Sequence, residues 1–222
     1  TRVAPRSAYA ETIRRIRVAF DERMPMALAA ETGRVIGFVS ERSYPGRSVA
    51  AMNYAQMVAV GGKRTVLVDL DWSQAYLTGR VAPQASLGVP DLMGKGEPVA
   101  PERLFWLDER SGLFFLPNRA LAAEAGLDPA VFDTAALGAM LRRLSKSFDQ
   151  VVVDFSALGE TVDAAALGET VQGYVVCADW GSTPVARLQR LMRSAGVPRA
   201  KLLGAVMTGV GEDTLARYEF SA

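Results

Sequence analysis

Histidine is absent from the 222-residue chain. Its absence removes Ser–His–Asp and Cys–His nucleophilic chemistry and histidine-ligated metal centres. Cysteine occurs once, as Cys177 in the apolar run YVVCA. No intramolecular disulfide or cysteine zinc cluster can form, and the thiol reads as a core residue. Neither sign of charge dominates: 25 Lys and Arg stand against 24 Asp and Glu, a formal charge of +1. A general nucleic-acid binder is normally strongly basic, so that class is set aside, although a local basic patch is not. No apolar run reaches the length of a membrane span and no signal peptide is visible, so direct membrane insertion by this segment is not expected. The sequence opens on Thr1, as a piece of a longer protein would.

What is present is a globular composition, half of it hydrophobic, long enough for one α/β domain with a large core. Residues 8–21 predict a helix, with Tyr9, Ile13, Ile16 and Phe20 forming one apolar stripe. Glu11, Arg14 and Arg17 lie three apart on a neighbouring face, which reads either as a solvated ion-pair face or as a subunit contact. A connector with Pro25 and Gly33 follows. The stretch 34–71 then predicts strand (RVIGFVS), polar loop (ERSYPGRS, 41–48), helix and a second strand ending in Asp69 and Asp71. That is the layout of a nucleotide-binding β-α-β unit.

Further along, a short helix is expected around 90–93, and 104–108 and 113–117 read as a hairpin or as two separate strands. Helices are predicted over 130–148, 164–171 and 185–195, and apolar strands over 150–155, 174–178 and 202–207. Five apolar runs alternating with helices imply a mainly parallel sheet covered on both faces, with ligands beyond the carboxyl ends of its strands. Asp69, Asp71, Asp154 and the loop 40–48 all fall at such ends. Each acid alone could be a turn or cap residue. Together beside one glycine-containing loop they read as a site of nucleotide-and-magnesium origin.

The ordered set ETIRRIR, VIGFVS…PGRS…N, TVLVDLD, FDQVVVDFSALGETVDA, ADWGST and LLGAVMTGVGEDTLARYE resembles the cytoplasmic domain of bacterial tyrosine kinases (BY-kinases), in particular the branch found in succinoglycan-type exopolysaccharide transport proteins. The resemblance spans about residues 8–219. It implies a P-loop NTPase-like fold of the deviant-Walker, partition-ATPase-like kind. The domain would run over 1–222, with an oligomerisation helix and connector (1–33), a nucleotide-binding-type core (34–210) and a tail (211–222). It assigns Glu11, Arg14 and Arg17 to ring-type self-association, and Gly46, Arg47, Ser48 and Val49 to the nucleotide. Ser48, Asp69 and Asp154 fall to Mg²⁺, and Asp71, beside Asp69, to the base that takes a tyrosine hydroxyl proton. Asp163 matches a further family acid. A transmembrane chain-length regulator, fused or separate, is the implied partner, at the inner face of the bacterial plasma membrane.

The loop departs from the family pattern Ser-x-x-Pro-Gly-Glu-Gly-Lys-Ser/Thr. Gly46 and Ser48 match. Arg47 stands at the lysine position, which keeps the charge but replaces a compact ammonium with a wide planar fork. Tyr44 stands at a glycine, and Pro45 has no N–H to offer a phosphate. Thr208 stands where the family carries an adenine-side asparagine, and of a tyrosine-rich tail only Tyr218 lies near the end. Three readings follow. The first is an oligomerising regulator of exopolysaccharide polymerisation and export with impaired ATP binding and no working cofactor. The second is an active ATP- and Mg²⁺-dependent protein tyrosine kinase. The third is a partition-type ATPase, disfavoured by the Glu-x-x-Arg-x-x-Arg helix.

Overall fold

A computed structural model describes residues 7–24, 32–93, 99–118 and 133–211. Its centre is a seven-stranded sheet in the order β3-β4-β2-β5-β1-β6-β7. The strands are β1 (Arg34–Ser40), β2 (Thr65–Leu70), β3 (Trp106–Asp108), β4 (Leu113–Leu116), β5 (Gln150–Phe155), β6 (Gly173–Asp179) and β7 (Leu202–Thr208). All neighbours pair in parallel except β3 with β4. The two aromatic-rich runs are therefore a hairpin, closed by the turn 109–112. The inner strands β1, β2 and β5 are near-continuous runs of β-branched and apolar residues because both faces are covered.

One face carries α1 (Ala8–Arg23), α2 (Pro45–Val60) and α3 (Tyr76–Val81) over a core that includes Phe20, Phe38, Tyr54 and Cys177. The other carries α4 (Val89–Met93), α6 (Thr134–Ser147), α7 (Asp163–Ala166) and α8 (Val185–Ser194) over Val151, Val153, Phe155, Leu141 and Tyr174. A short α5 (Pro101–Leu104) leads into β3, and a 3₁₀ turn (Arg199–Lys201) leads into β7.

α1 forms as its sequence predicts. Ser7 caps it, its hydroxyl accepting from Ala10 N at 3.1 Å, and Ile13, Ile16 and Phe20 point inward. Asp133 caps α6 in the same way, accepting from Ala135 N at 2.9 Å. α2 is buried on most sides. Its small residues Ala50, Ala51, Ala55 and Ala59 let it lie close to both the sheet and α1.

Several boundaries differ from expectation. Pro45–Ser48 is not loop but the first turn of α2, because proline suits the first helical position, where its missing N–H has no partner to lose. The polar loop shrinks to 41–44. α6 starts at Thr134, its Asp133 cap setting the start; 130–132 of the expected helix lie outside the described residues. Where 164–171 predicts a helix, only Asp163–Ala166 is helical and turns follow through Thr170. Lys201 Nζ takes up the freed carbonyls there, donating to Gly168 O at 2.6 Å and Val171 O at 2.9 Å. Pro25, Tyr218 and the tail beyond Gly211 also lie outside the described residues.

Candidate functional site

β1, β2 and β5 end side by side, and Asp69 and Asp154 are register partners on adjacent strands. The loop after β1 turns directly into α2, whose first turn faces those strand ends. Ser40, Arg47, Ser48, Asp69, Asp71 and Asp154 are thereby gathered in one place, each 0–1% exposed.

The Arg47 guanidinium lies among the acids. Its Nε donates to Asp154 Oδ1 at 2.6 Å and its Nη2 to Asp71 Oδ2 at 2.6 Å. Nη1 reaches Ser40 Oγ at 3.2 Å, and Nη2 lies 3.5 Å from Ser48 Oγ. Burial alone disfavours the charge on Arg47, but the adjacent Asp154 and Asp71 outweigh it and the guanidinium is held more firmly protonated than usual.

The remaining carboxylate oxygens are mostly engaged. Asp69 Oδ2 accepts from Thr78 Oγ1 at 2.7 Å and Thr78 N at 2.9 Å, and Oδ1 accepts from Asp71 N at 3.0 Å. Asp71 Oδ1 accepts from Ser73 Oγ at 2.8 Å. Asp154 Oδ2 is buried without a hydrogen-bond partner. Burial, reinforced by the charge of Asp154, pushes Asp69 up to about 7. Asp154 is also raised, by burial, with Arg47 opposing. Among the described residues no group of three or more Cys, Asp or Glu converges as a metal cage. The cation facing Asp71 and Asp154 is supplied by the chain itself.

The loop is closed over on its other side. The Thr208 hydroxyl donates to the Tyr44 hydroxyl at 2.9 Å, joining the loop to the end of β7. A Cβ on Gly46 would strike the Tyr44 ring and would meet Thr208 Oγ1 at 2.6 Å, so only glycine fits beneath this pair. Arg42 pairs with Asp179 at 2.5 Å, and Arg187 of α8 with the buried Glu41 at 2.6 Å. Val49 is turned away from the acids, into a groove also lined by Arg14, Asn53, Tyr76 and Trp106. Asp163 stands apart from the Arg47 cluster and accepts from Trp72 Nε1 at 2.9 Å, bracing α7 against the end of β2.

Sequence reasoning placed the acids and Ser48 together and the structure does so. It sent Arg47 toward phosphate, whereas the side chain points back into the protein. It placed Ser40 and Glu41 in the loop 40–48 without giving either a role, and it missed Thr78, which no local signal marks. On α1, Arg14 Nη2 pairs with Glu11 at 2.8 Å on the exposed side of the helix, and the half-buried Arg17 pairs with Asp21 at 3.5 Å.

No protein-family model matches the sequence. The chain is 31% identical over 216 residues to the succinoglycan biosynthesis transport protein ExoP of Rhizobium meliloti (strain 1021), an alignment covering 97% of this chain and 27% of that protein. It superposes on the kinase domain of the Escherichia coli tyrosine kinase ETK with a TM-score of 0.75 at 18% identity, covering 93% of this chain and 77% of the other. The chain resembles the BY-kinase domains of exopolysaccharide transport proteins and shares their fold. The wider fold is that of the partition and septum-positioning P-loop proteins. A chain of the MinC:MinD cell division protein complex of Aquifex aeolicus superposes with a TM-score of 0.65 at 16% identity, over 83% of this chain and 72% of that one. The chain spans little more than a quarter of the exopolysaccharide transport relative's length. It keeps the fold's strand-end acids and places an arginine between them.

Proposed function

We propose that this domain regulates bacterial exopolysaccharide polymerisation and export as an oligomerising, partner-binding module whose nucleotide site is held shut by its own side chains. One observation carries the reading: Arg47 is 0% exposed and bound at 2.6 Å to both Asp71 and Asp154. A phosphate loop needs its basic side chain free for the β- and γ-phosphates and its acids free for Mg²⁺. Here the two neutralise each other, in a buried pair that is strongly unfavourable to break one partner at a time. The Tyr44–Thr208 bridge closes the side where the resemblance puts the base. The domain works at the inner face of the plasma membrane beside a transmembrane chain-length regulator, fused or separate.

Ser48, Asp69 and Asp154 still stand together, which favours a second reading: an active tyrosine kinase in which ATP and Mg²⁺ draw Arg47 out. Titration calorimetry with ATP or ADP and Mg²⁺ separates the two. The closed-site reading expects no heat at micromolar nucleotide for the wild type, and binding in the double variant Tyr44→Gly/Arg47→Lys. Micromolar binding by the wild type would overturn the closed-site reading and leave the second standing.

Self-association through the face of Glu11, Arg14 and the half-buried Arg17 is the other half of the proposal. Light scattering at high protein concentration should show an assembly that Glu11→Ala/Arg14→Ala reduces to a lower mass. An unchanged mass would make these residues a solvated face worth a few tenths of a kcal/mol per pair.

A further inference from the structure

Charge is unevenly distributed along this chain. From Trp180 to Gly211 the sequence carries Arg187, Arg190, Arg193, Arg199 and Lys201 and not one Asp or Glu. That segment contributes five positive charges to a chain whose formal total is +1. It folds as one piece of the molecule: α8, the 3₁₀ turn and the outermost strand β7. Two of the five cations are engaged locally, Lys201 with the carbonyls of Gly168 and Val171, and Arg187 with Glu41. Arg190, Arg193 and Arg199 are exposed and pair with no acid among the described residues.

Large apolar side chains are exposed at the same edge: Val185 at 67%, Met207 at 60% and Trp180 at 38%. Trp180 N donates to Thr208 O at 2.9 Å, which holds the tryptophan at the end of β7. Met207 pairs in register with Ala178, which packs into the core on the α8 side of the sheet. α8 does not reach far enough to cover it.

We propose that this edge is a peripheral docking surface for an anionic lipid bilayer. Guanidinium groups exposed on the helix and the turn after it suit a field of phosphate headgroups, which attract basic side chains near an anionic surface. Tryptophan prefers the headgroup level, and Val185 and Met207 supply the shallow apolar contact that a purely phosphate-binding surface has no use for. The domain lies on the membrane and does not cross it. The surface adjoins the candidate site, because Arg187 and Asp179 at this edge hold Glu41 and Arg42 of the loop. The inference is independent of whether the site binds nucleotide.

Co-sedimentation of the full 222-residue chain with phosphatidylcholine vesicles, with and without about one-third phosphatidylglycerol, tests it. Binding is expected only to the anionic vesicles, weakening as salt shortens the Debye length to about 3 Å at 1 M. Arg190→Glu/Arg193→Glu/Arg199→Glu should lower partitioning at least tenfold, and the single glutamine variants by smaller steps. A blue shift of tryptophan emission on binding should vanish in Trp180→Phe. Equal binding to neutral vesicles, full binding by the triple variant, or capture of a single-stranded oligonucleotide in place of vesicles would overturn the proposal.

Discussion

Arg47→Ala is expected to destabilise the chain by about 3–5 kcal/mol near pH 8, the usual penalty for leaving a buried charge without its partner. Two carboxylates, Asp71 and Asp154, lose their cation at once, and neither has water to fall back on. Arg47→Lys should cost less, since it keeps a charge but cannot reproduce the fork that spans both acids.

The penalty should shrink at pH 5. Asp69 is pushed up to about 7 from an ordinary 3.8 by burial and by the charge of Asp154, which is itself raised by burial. The folded state therefore binds more protons than the unfolded chain between about pH 4 and pH 7. Stability contributed by such a raised carboxyl is fully present below the unfolded value and lost as pH rises through the folded one. Without Arg47 the acids hold protons more strongly still, so the variant's deficit widens with pH. Urea denaturation of wild type and Arg47→Ala at both pH values measures this. A deficit under 1 kcal/mol at pH 8 would mean that the guanidinium does not bind these acids in solution.

Phe20→Ala carries the second large effect, about 3–5 kcal/mol for truncating a buried phenylalanine. The ring is 0% exposed and lies so close to β6 that a methyl on Gly173 would stand 2.9 Å from it. The Arg34 guanidinium sits 4.6 Å from the ring centre, anchored by a 2.5 Å pair to Asp21 and a 2.8 Å bond to Met24 O. Removing the ring takes away what holds the end of α1 against the sheet. Chemical denaturation should show the loss, and limited proteolysis should cut α1 first. Unchanged protease sensitivity would place the anchor of α1 elsewhere, at Ile13 and Ile16.

The central strands and their acids were legible because a β-branched run with an acid near its end is a strong local pattern. VLVDLD and VVVDF announce both the buried strand and the strand end where Asp69, Asp71 and Asp154 gather. The stripe of Ile13, Ile16 and Phe20 was legible because its apolar residues recur at three- and four-residue spacing. The 106–116 region resisted because β3 is only three residues long and Trp106 and Leu107 face outward, which breaks the alternation that marks a strand. Arg47 was read as a phosphate ligand because its position in the loop said so. Its actual partners lie 24 and 107 residues away, and long-range neutralisation leaves no mark on local pattern. The Tyr44–Thr208 bond, 164 residues apart, was hidden in the same way.

The lone cysteine gives this fold a built-in clock. Cys177 sits in the middle of β6, fully buried, with Ser40 of β1 on one side and Val206 of β7 on the other. Burial pushes its thiol up to about 12. Its reaction with an alkylating reagent therefore requires the region to open, and no second sulfhydryl confuses the signal. Labelling kinetics of the unmodified chain report how often α2 lifts from the sheet. They would register any ligand that changes that rate without an added probe.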